Sequence, residues 1–278
     1  MGSNSKYTLY FVLAMAHVKQ VPQKGQKMGM NRVYDTVEFK NWAQKERLNK
    51  TEIYLFNHYI RKDGKTLEAG TGGGRILLSL RDLGFKSLSG FDFSSRLIET
   101  ARRRDTAQAI DFEVKNAVAL DYEDASFDQI IYLEQLISII DGDEDRKRAL
   151  RESCRILKPS GVALFSFVCI EARQRDWRYR PILAYLSLFR RLKRSNRSVQ
   201  SLPWFKLGGA YNFGALLDLG PQAYWFGMRE IDHLLRESGF RIIAAGSNEQ
   251  INRGRMSDSL EALEMESVKG QLYVVCTK

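Results

Sequence analysis

Histidine and cysteine are both scarce, with three of each in 278 residues. Cys154, Cys169 and Cys276 stand at no spacing that suits a metal or a redox pair. They read as small buried apolar side chains in a reducing compartment. His17, His58 and His233 are scattered, so a Cys/His metal centre is not expected. Long apolar runs are missing as well: nothing approaches the ~20 residues of a membrane span. Residues 7–16 (YTLYFVLAMA) are about the size of a signal-peptide core, with Lys6 before them and Ala14-x-Ala16 at their end. A core is not lacking. Hydrophobic content of 44% with 11% aromatics describes a folded chain, and this length allows one α/β domain of ~200–250 residues plus an appendage.

Two nucleotide signatures are also absent. The glycine-rich stretch 65–75, KTLEAGTGGGR, has Arg75 or Leu77 where a G-x-G-x-x-G fingerprint wants its third glycine, and it has no Gly-Lys-Ser/Thr for a P-loop. What it does hold is E-x-G-x-G-x-G, from Glu68 through Gly70, Gly72 and Gly74. Thr66–Leu67 leads in as a strand, and Ile76, Leu77, Leu80 and Leu83 follow at helical spacing. The helix N-terminus therefore aims its free N–H groups at whatever the loop holds.

This loop resembles the cofactor loop of the class I, Rossmann-like S-adenosylmethionine (SAM) methyltransferases, of the small-molecule type 11/25-like group. SAM carries an ammonium and a carboxylate rather than a pyrophosphate, and a glycine loop with an acid just before it suits both. The resemblance implies an α/β fold: a seven-stranded, mostly parallel sheet flanked by helices, with an antiparallel last strand. It implies SAM as cofactor, held by Glu68, Gly70, Thr71, Gly72, Gly74, Asp92 and Phe93. Asp92 ends the second strand (87–93), eighteen residues past Gly74, where an acid accepts both ribose hydroxyls; helix capping is the plainer role. Asn116-Ala117, after a third strand at 110–116, stands in the place of the family's Gly-Asp-Ala turn, an amide replacing the usual acid.

After a fourth strand at 129–133, Glu134-Gln135-Leu136 falls where these enzymes line the pocket between cofactor and substrate. Ile137 and Ser138 replace an acid and a histidine found there in the ubiquinone-type enzymes, which argues against metal assistance. A helix at 143–157 runs into Lys158-Pro159-Ser160-Gly161, a helix stop before the strand 162–168. A helix at 228–239 and strands at 241–245 and 271–277 complete the series, in the family's order from about residue 51 to the end.

Residues 1–50 are expected to form helical caps, with helices at 31–45 (Val33, Tyr34 and Val37 on one face) and 49–60 (Ile53, Phe56 and Ile60). Residues 51–278 form the SAM-binding domain, with a lid insertion at about 170–227. The insertion is far longer than an ordinary connection and combines basic and aromatic stretches. Tyr34, Trp42, Gln135, Tyr211 and Trp225 are the candidate acceptor contacts, each equally able to be plain packing. The expected activity is methyl transfer to an O or N atom of a small molecule, natural products included. If the acceptor is a hydroxyl, a base must take its proton, and Glu134, His17 and His58 are the candidates. A cofactor made and kept in the cytoplasm places the chain there, with residues 7–16 as a packed helix.

The net charge of +10 fits solvated helix faces or an anionic partner. RNA or another nucleic acid is the competing acceptor, because basic residues interleaved with aromatics suit phosphates and bases. No RNA-binding module and no Asn/Asp-Pro-Pro-Tyr motif for base methylation is present, which favours the small molecule. A non-catalytic SAM-fold binding protein is the third reading. The oligomeric state has no signature.

Overall fold

The computed structural model describes residues 30–264, 266 and 268–278. Residues 7–16 and His17 lie outside them. Two short helices, α1 (Met30–Asp35) and α2 (Phe39–Gln44), precede α3 (Lys50–Tyr59). Alternating strands and helices follow: β1 (Lys65–Ala69), α4 (Arg75–Asp82), β2 (Ser87–Asp92), α5 (Ser95–Arg104), β3 (Ile110–Val114) and β4 (Phe127–Tyr132). After these come α6 (Leu136–Ile139), α7 (Asp143–Ile156) and β5 (Leu157–Val168). The insertion contains α8 (Ile170–Arg175), α9 (Arg180–Leu192), β6 (Ser201–Pro203), β7 (Lys206–Leu207), β8 (Ala210–Tyr211), a 3-10 turn (Phe213–Leu217) and β9 (Gln222–Tyr224). The chain closes with α10 (Met228–Glu237), β10 (Arg241–Ser247), α11 (Asn248–Asn252), α12 (Leu260–Glu264) and β11 (Gln271–Thr277).

The central sheet has seven strands in the order β10-β11-β5-β4-β1-β2-β3. β1 to β5 pair in parallel, and β11 runs antiparallel between β5 and β10. The expected fold class is the observed one. Parallel strands covered on both faces need apolar residues on both, and FDQIIY and ALFSFV supply them. Ile130, Tyr132, Phe165 and Phe167 face one core, shared with Ala149 and Leu150 of α7 and Ile231 and Leu235 of α10. Ile131 and Leu164 face the other, with Leu55 and Phe56 of α3, Ile76, Leu77 and Leu80 of α4, and Ile98 and Ala101 of α5. All three cysteines are buried and unpaired. No described helix is long and apolar enough to cross a membrane.

The expected single helix at 31–45 is two helices meeting at residues 36–38. Thr36 Oγ1 bonds back to Arg32 O at 2.5 Å, and the Glu38 carboxylate is drawn off to Asn41 Nδ2 (2.9 Å) and Gly208 N (2.6 Å). The break turns Val37 outward while Val33 and Tyr34 stay buried. In α3 the inward face is Leu55–Phe56 with Thr51 and Glu52, and Ile53 is exposed. A capping box sets that register, Asn49 Oδ1 accepting from Glu52 N and Glu52 Oε2 from Asn49 N. Glu52 thus points inward, where a cation waits for it. The β5 ladder begins at Leu157, earlier than expected, because Leu157 pairs Phe127 before an irregularity at Phe127/Gln129.

The insertion returns to the sheet where it left. Phe226 N donates to Val168 O and Ile170 N to Phe226 O, so both ends of the segment sit at the C-terminal edge of β5.

Candidate functional site

At the C-terminal ends of β1, β2 and β4 the glycine loop, Asp92 and Glu134 come together. Glu68, the fourth residue of β1, is buried, and its Oε2 accepts from Thr71 Oγ1 at 2.7 Å. Burial pushes the Glu68 carboxyl up to about 7, against the pull of Thr71 and Arg75. Asp92 ends β2. Its Oδ2 accepts from Gly72 N (3.0 Å) and its Oδ1 from Ser94 N (2.9 Å). Burial raises it to about 6, opposed by these N–H groups. Ser94 rather than Asp92 caps α5, its Oγ accepting from Leu97 N. The acid is left at the mouth of the loop.

The loop is glycine for reasons the contacts make plain. Gly70 takes φ +66°, and a Cβ there would lie 2.2 Å from Leu136 Cδ1. At Gly73 a Cβ would lie 2.8 Å from Ala43 O and 2.9 Å from Trp42 O, so the end of α2 can sit directly on the loop. Gly73 N donates to Trp42 O. Arg104 Nη1 reaches both Ala43 O (3.1 Å) and Gly73 O (2.8 Å). Ser94 Oγ donates to Asp35 Oδ1, and Arg96 donates to Asp35 O while lying 3.7 Å over the Phe39 ring. The α1–α2 pair is therefore fastened to the loop and to α5.

The cleft between is lined by Tyr34, Trp42, Gly70, Gly72, Asp92, Phe93, Leu97, Leu133, Glu134, Leu136 and Ile139. Tyr34 packs edge-on to Phe93 (centroids 5.6 Å apart) and to Trp204 (6.1 Å). Burial, then the charges of Asp92, Glu38 and Glu134, raise the Tyr34 phenol well above its usual range. With these rings in place the free volume is about 30 Å³, room for one or two waters. A larger cavity of about 370 Å³ lies elsewhere, between α8, α9 and β6, and shares no lining residue with the cleft.

An ion cluster underlies the cleft. Arg75, 5% exposed, grips Glu52 bidentately (Nη1–Oε2 2.6 Å, Nη2–Oε1 2.7 Å) and reaches Glu134 Oε1 at 2.8 Å. Lys45 Nζ takes the same Glu134 oxygen. Glu134 and Gln135 both hold left-handed backbone, φ +53° and +65°, a conformation costing about 1–3 kcal/mol per non-glycine residue that concentrates at functional sites. Gln135 N is held by Ser166 Oγ, while Gln135 itself does not line the cleft.

Several expected placements change. His58 is exposed on α3, its ring stacked on Tyr54 with Nδ1 at Tyr54 O, away from the cleft. It cannot act as base there. Glu134 lines the cleft but is held by two cations, which leaves it poorly placed to take a proton. Tyr211 is 75% exposed in the β7–β8 hairpin. Trp225 packs with Ile170, Leu186 and Leu202 under the Arg173 guanidinium. Neither lines the cleft, and nor does Trp204, although its ring packs edge-on against Tyr34, which does. Asn116 and Ala117 lie outside the lining, and Asn116 Oδ1 accepts from Val118 N at 3.2 Å, closing its own turn. Leu136 lines the cleft as expected, whereas sequence reasoning missed Lys45, Glu52 and Arg75 as charged members of the site. Only Arg75, standing in the place of a glycine, left a signal. Among the described residues no three His, Cys, Asp or Glu are grouped as metal donors.

Residues 67–165 match the family model described as a methyltransferase domain. A 27-O-demethylrifamycin SV methyltransferase of Amycolatopsis mediterranei is 29% identical over 116 residues, 40% of this chain and 41% of that protein. A ubiquinone/menaquinone biosynthesis C-methyltransferase of Desulfotalea psychrophila is 32% identical over 99 residues, 35% of this chain and 39% of that one. The chain thus spans about two fifths of the length of these relatives. Among solved structures, a SAM-dependent methyltransferase of Methanosarcina mazei superposes with a TM-score of 0.59 at 19% identity, covering 81% of this chain and 96% of that one. At that identity the likeness speaks for the fold.

Proposed function

We propose, from the premise that this chain belongs to the class I, Rossmann-like SAM-dependent methyltransferases, that it moves the SAM methyl group to an oxygen or nitrogen of a small organic acceptor. The observation that carries the reading is Asp92, buried at the end of β2 and bonded to the N–H of Gly72, with the glycine loop beside it. A carboxylate there faces ribose hydroxyls, Phe93 and Leu97 offer an apolar wall to a base, and Glu68 with Thr71 stiffens the loop for the amino-acid end. Bound SAM supplies an electrophilic methyl. What the protein then has to do is align an acceptor and keep water out.

Leu133, Leu136 and Ile139 form the apolar side of the cleft. Arg75 and Lys45 hold Glu134 as a fixed negative edge, suited to a sulfonium nearby. Among the described residues no histidine reaches the cleft, and its carboxylates are engaged. The reading therefore favours acceptors whose nucleophile needs little help, such as a phenol, an enol or an amine. Tyr34 and Trp42 line the cleft, with Trp204 packed against Tyr34. With about 30 Å³ free, the α1–α2 pair has to move aside before a nucleoside enters.

Calorimetry with SAM, its demethylated product and NAD tests the cofactor; NAD binding without SAM binding would sink the reading. Labelled SAM with cell extracts tests the acceptor, and an organic-extractable labelled product is expected. Label in tRNA or rRNA instead would move the acceptor to nucleic acid. SAM binding with no labelled product in any extract would leave a non-catalytic binding protein.

A further inference from the structure

We propose that the outward face of α9, with the turn packed beside it, docks on an anionic lipid surface. Between Asp176 and Asp218 the sequence has no aspartate or glutamate, while the same stretch holds six arginines and two lysines. Within it, α9 carries no charge from Pro181 to Phe189. A surface helix ordinarily turns a polar face to solvent. This one does not. Leu186 and Arg190 point inward at 1% and 4% exposure, yet Leu188 and Leu192, on the opposite face, are 58% and 75% exposed.

Tyr185 Oη donates to Leu216 O at 2.8 Å, which sets the 3-10 turn alongside. That adds Leu216 and Leu217, 42% and 56% exposed, to the same surface. Trp177, just ahead of the helix, is 76% exposed. Among the described residues nothing covers this face. Scattered exposed leucines need no explanation, but a grouped set marks a contact surface.

The charges identify the partner. Three of the segment's eight cations are used in internal ion pairs: Arg190 and Arg197 pair with Asp218, and Arg178 with Asp176. Arg191, Lys193 and Arg194, at the end of the helix, are exposed and make no ion pair among the described residues. A second copy of the chain would bring these cations against one another. A nucleic acid would meet the cations but offer nothing to Leu188, Leu192, Leu216 and Leu217. An anionic bilayer satisfies both, taking the leucines and Trp177 at the headgroup boundary and the cations on its phosphates. The inference stands apart from the reading of the cleft.

The test is co-sedimentation of the full chain with vesicles of phosphatidylcholine, alone or mixed with phosphatidylglycerol, at about 0.1 and about 0.5 M NaCl, which shortens the screening length about twofold. Binding to the mixed vesicles is expected to be at least about tenfold tighter than to phosphatidylcholine and to weaken with salt. Leu188→Gln with Leu192→Gln, which changes no charge, should lose about tenfold with its melting temperature unaltered. A blue shift of Trp177 fluorescence on the mixed vesicles, absent from Trp177→Phe, checks the same face in an unperturbed helix. No vesicle binding, or wild-type binding by the double variant, overturns the proposal. So does a concentration-dependent dimer that the double variant abolishes without any vesicle binding.

Discussion

Asp92 and Glu68 hold their carboxyl groups above the ordinary range because both are buried beside the loop. Their folded values, about 6 and about 7, exceed those of an unfolded chain, so between them the native state binds more protons than the unfolded one. Stability from this source is present at low pH and is lost as pH rises through about 4 to 7. Glu68→Gln keeps an acceptor for Thr71 and removes the titration. Its melting temperature relative to wild type is expected to climb between pH 5 and pH 8; a constant offset would mean that Glu68 is not strained by ionisation. Asp92→Ala should weaken SAM binding by roughly 1–3 kcal/mol, the cost of lost charge-assisted hydrogen bonds, and calorimetry reads this directly. Unchanged affinity would leave Asp92 as a loop brace. Both acids could be read from the sequence because Glu68 stands one residue before the end of β1 and Asp92 ends β2, and strand ends fix where such residues emerge. The Glu52–Arg75–Glu134 cluster could not, since its members lie 23 and 59 residues apart on three elements. No local pattern records such a pairing. Removing one partner leaves a buried charge unmatched, so Arg75→Met is expected to cost about 3–5 kcal/mol in a denaturant titration. Glu52→Gln combined with it should cost less than the sum of the single changes.

At the scale of elements, the sheet was legible and the segments leaning on it were not. FDQIIY, ALFSFV and QLYVVCT are apolar runs that only a covered strand explains, and they paired as expected. The α1–α2 break depends on Glu38 bonding Gly208, 170 residues away. The face of α3 depends on Glu52 finding Arg75. In both cases tertiary partners overrode periodicity. Within the insertion, β6 to β9 are strands of two or three residues, too short to show any alternation. Tyr211 and Trp225 were accordingly misplaced at the cleft, whereas the insertion's ring that packs on a cleft residue is Trp204, against Tyr34. Gly73 is where the two levels meet, because α2 rests on its bare backbone. Gly73→Val, with a Cβ under 3 Å from two carbonyl oxygens, should lift α2 while sparing the sheet. Hydrogen exchange is expected to speed up at residues 33–44 and stay unchanged in β1, β4 and β5. Equal acceleration in the strands would mean that α2 is integral to the core.

For the whole molecule, the net charge of +10 overstates what an anionic polymer could use. Nine cations between residues 173 and 197 suggested a dense phosphate-binding surface. The fold spends most of them. Arg190 lies buried against Asp218, joined there by Arg197, while Arg178 holds Asp176. Arg175 caps the carbonyls of Glu264 and Glu266, and Arg173 lies over Tyr179 and Trp225. Arg180 donates to Gln174 O. Among the described residues, Arg191, Lys193 and Arg194 are what remain exposed and without an ion pair. Each phosphate contact on duplex adds about 0.9 to the log–log salt dependence, so three contacts give a slope near −2.7. Nine would give about −8. Duplex binding followed across a salt series is therefore expected to be weak, indifferent to sequence and no steeper than about −3. Arg191→Gln with Arg194→Gln should flatten it by about 2. A slope near −8 would show that the internal pairs open on binding, and that the insertion is a nucleic-acid surface after all.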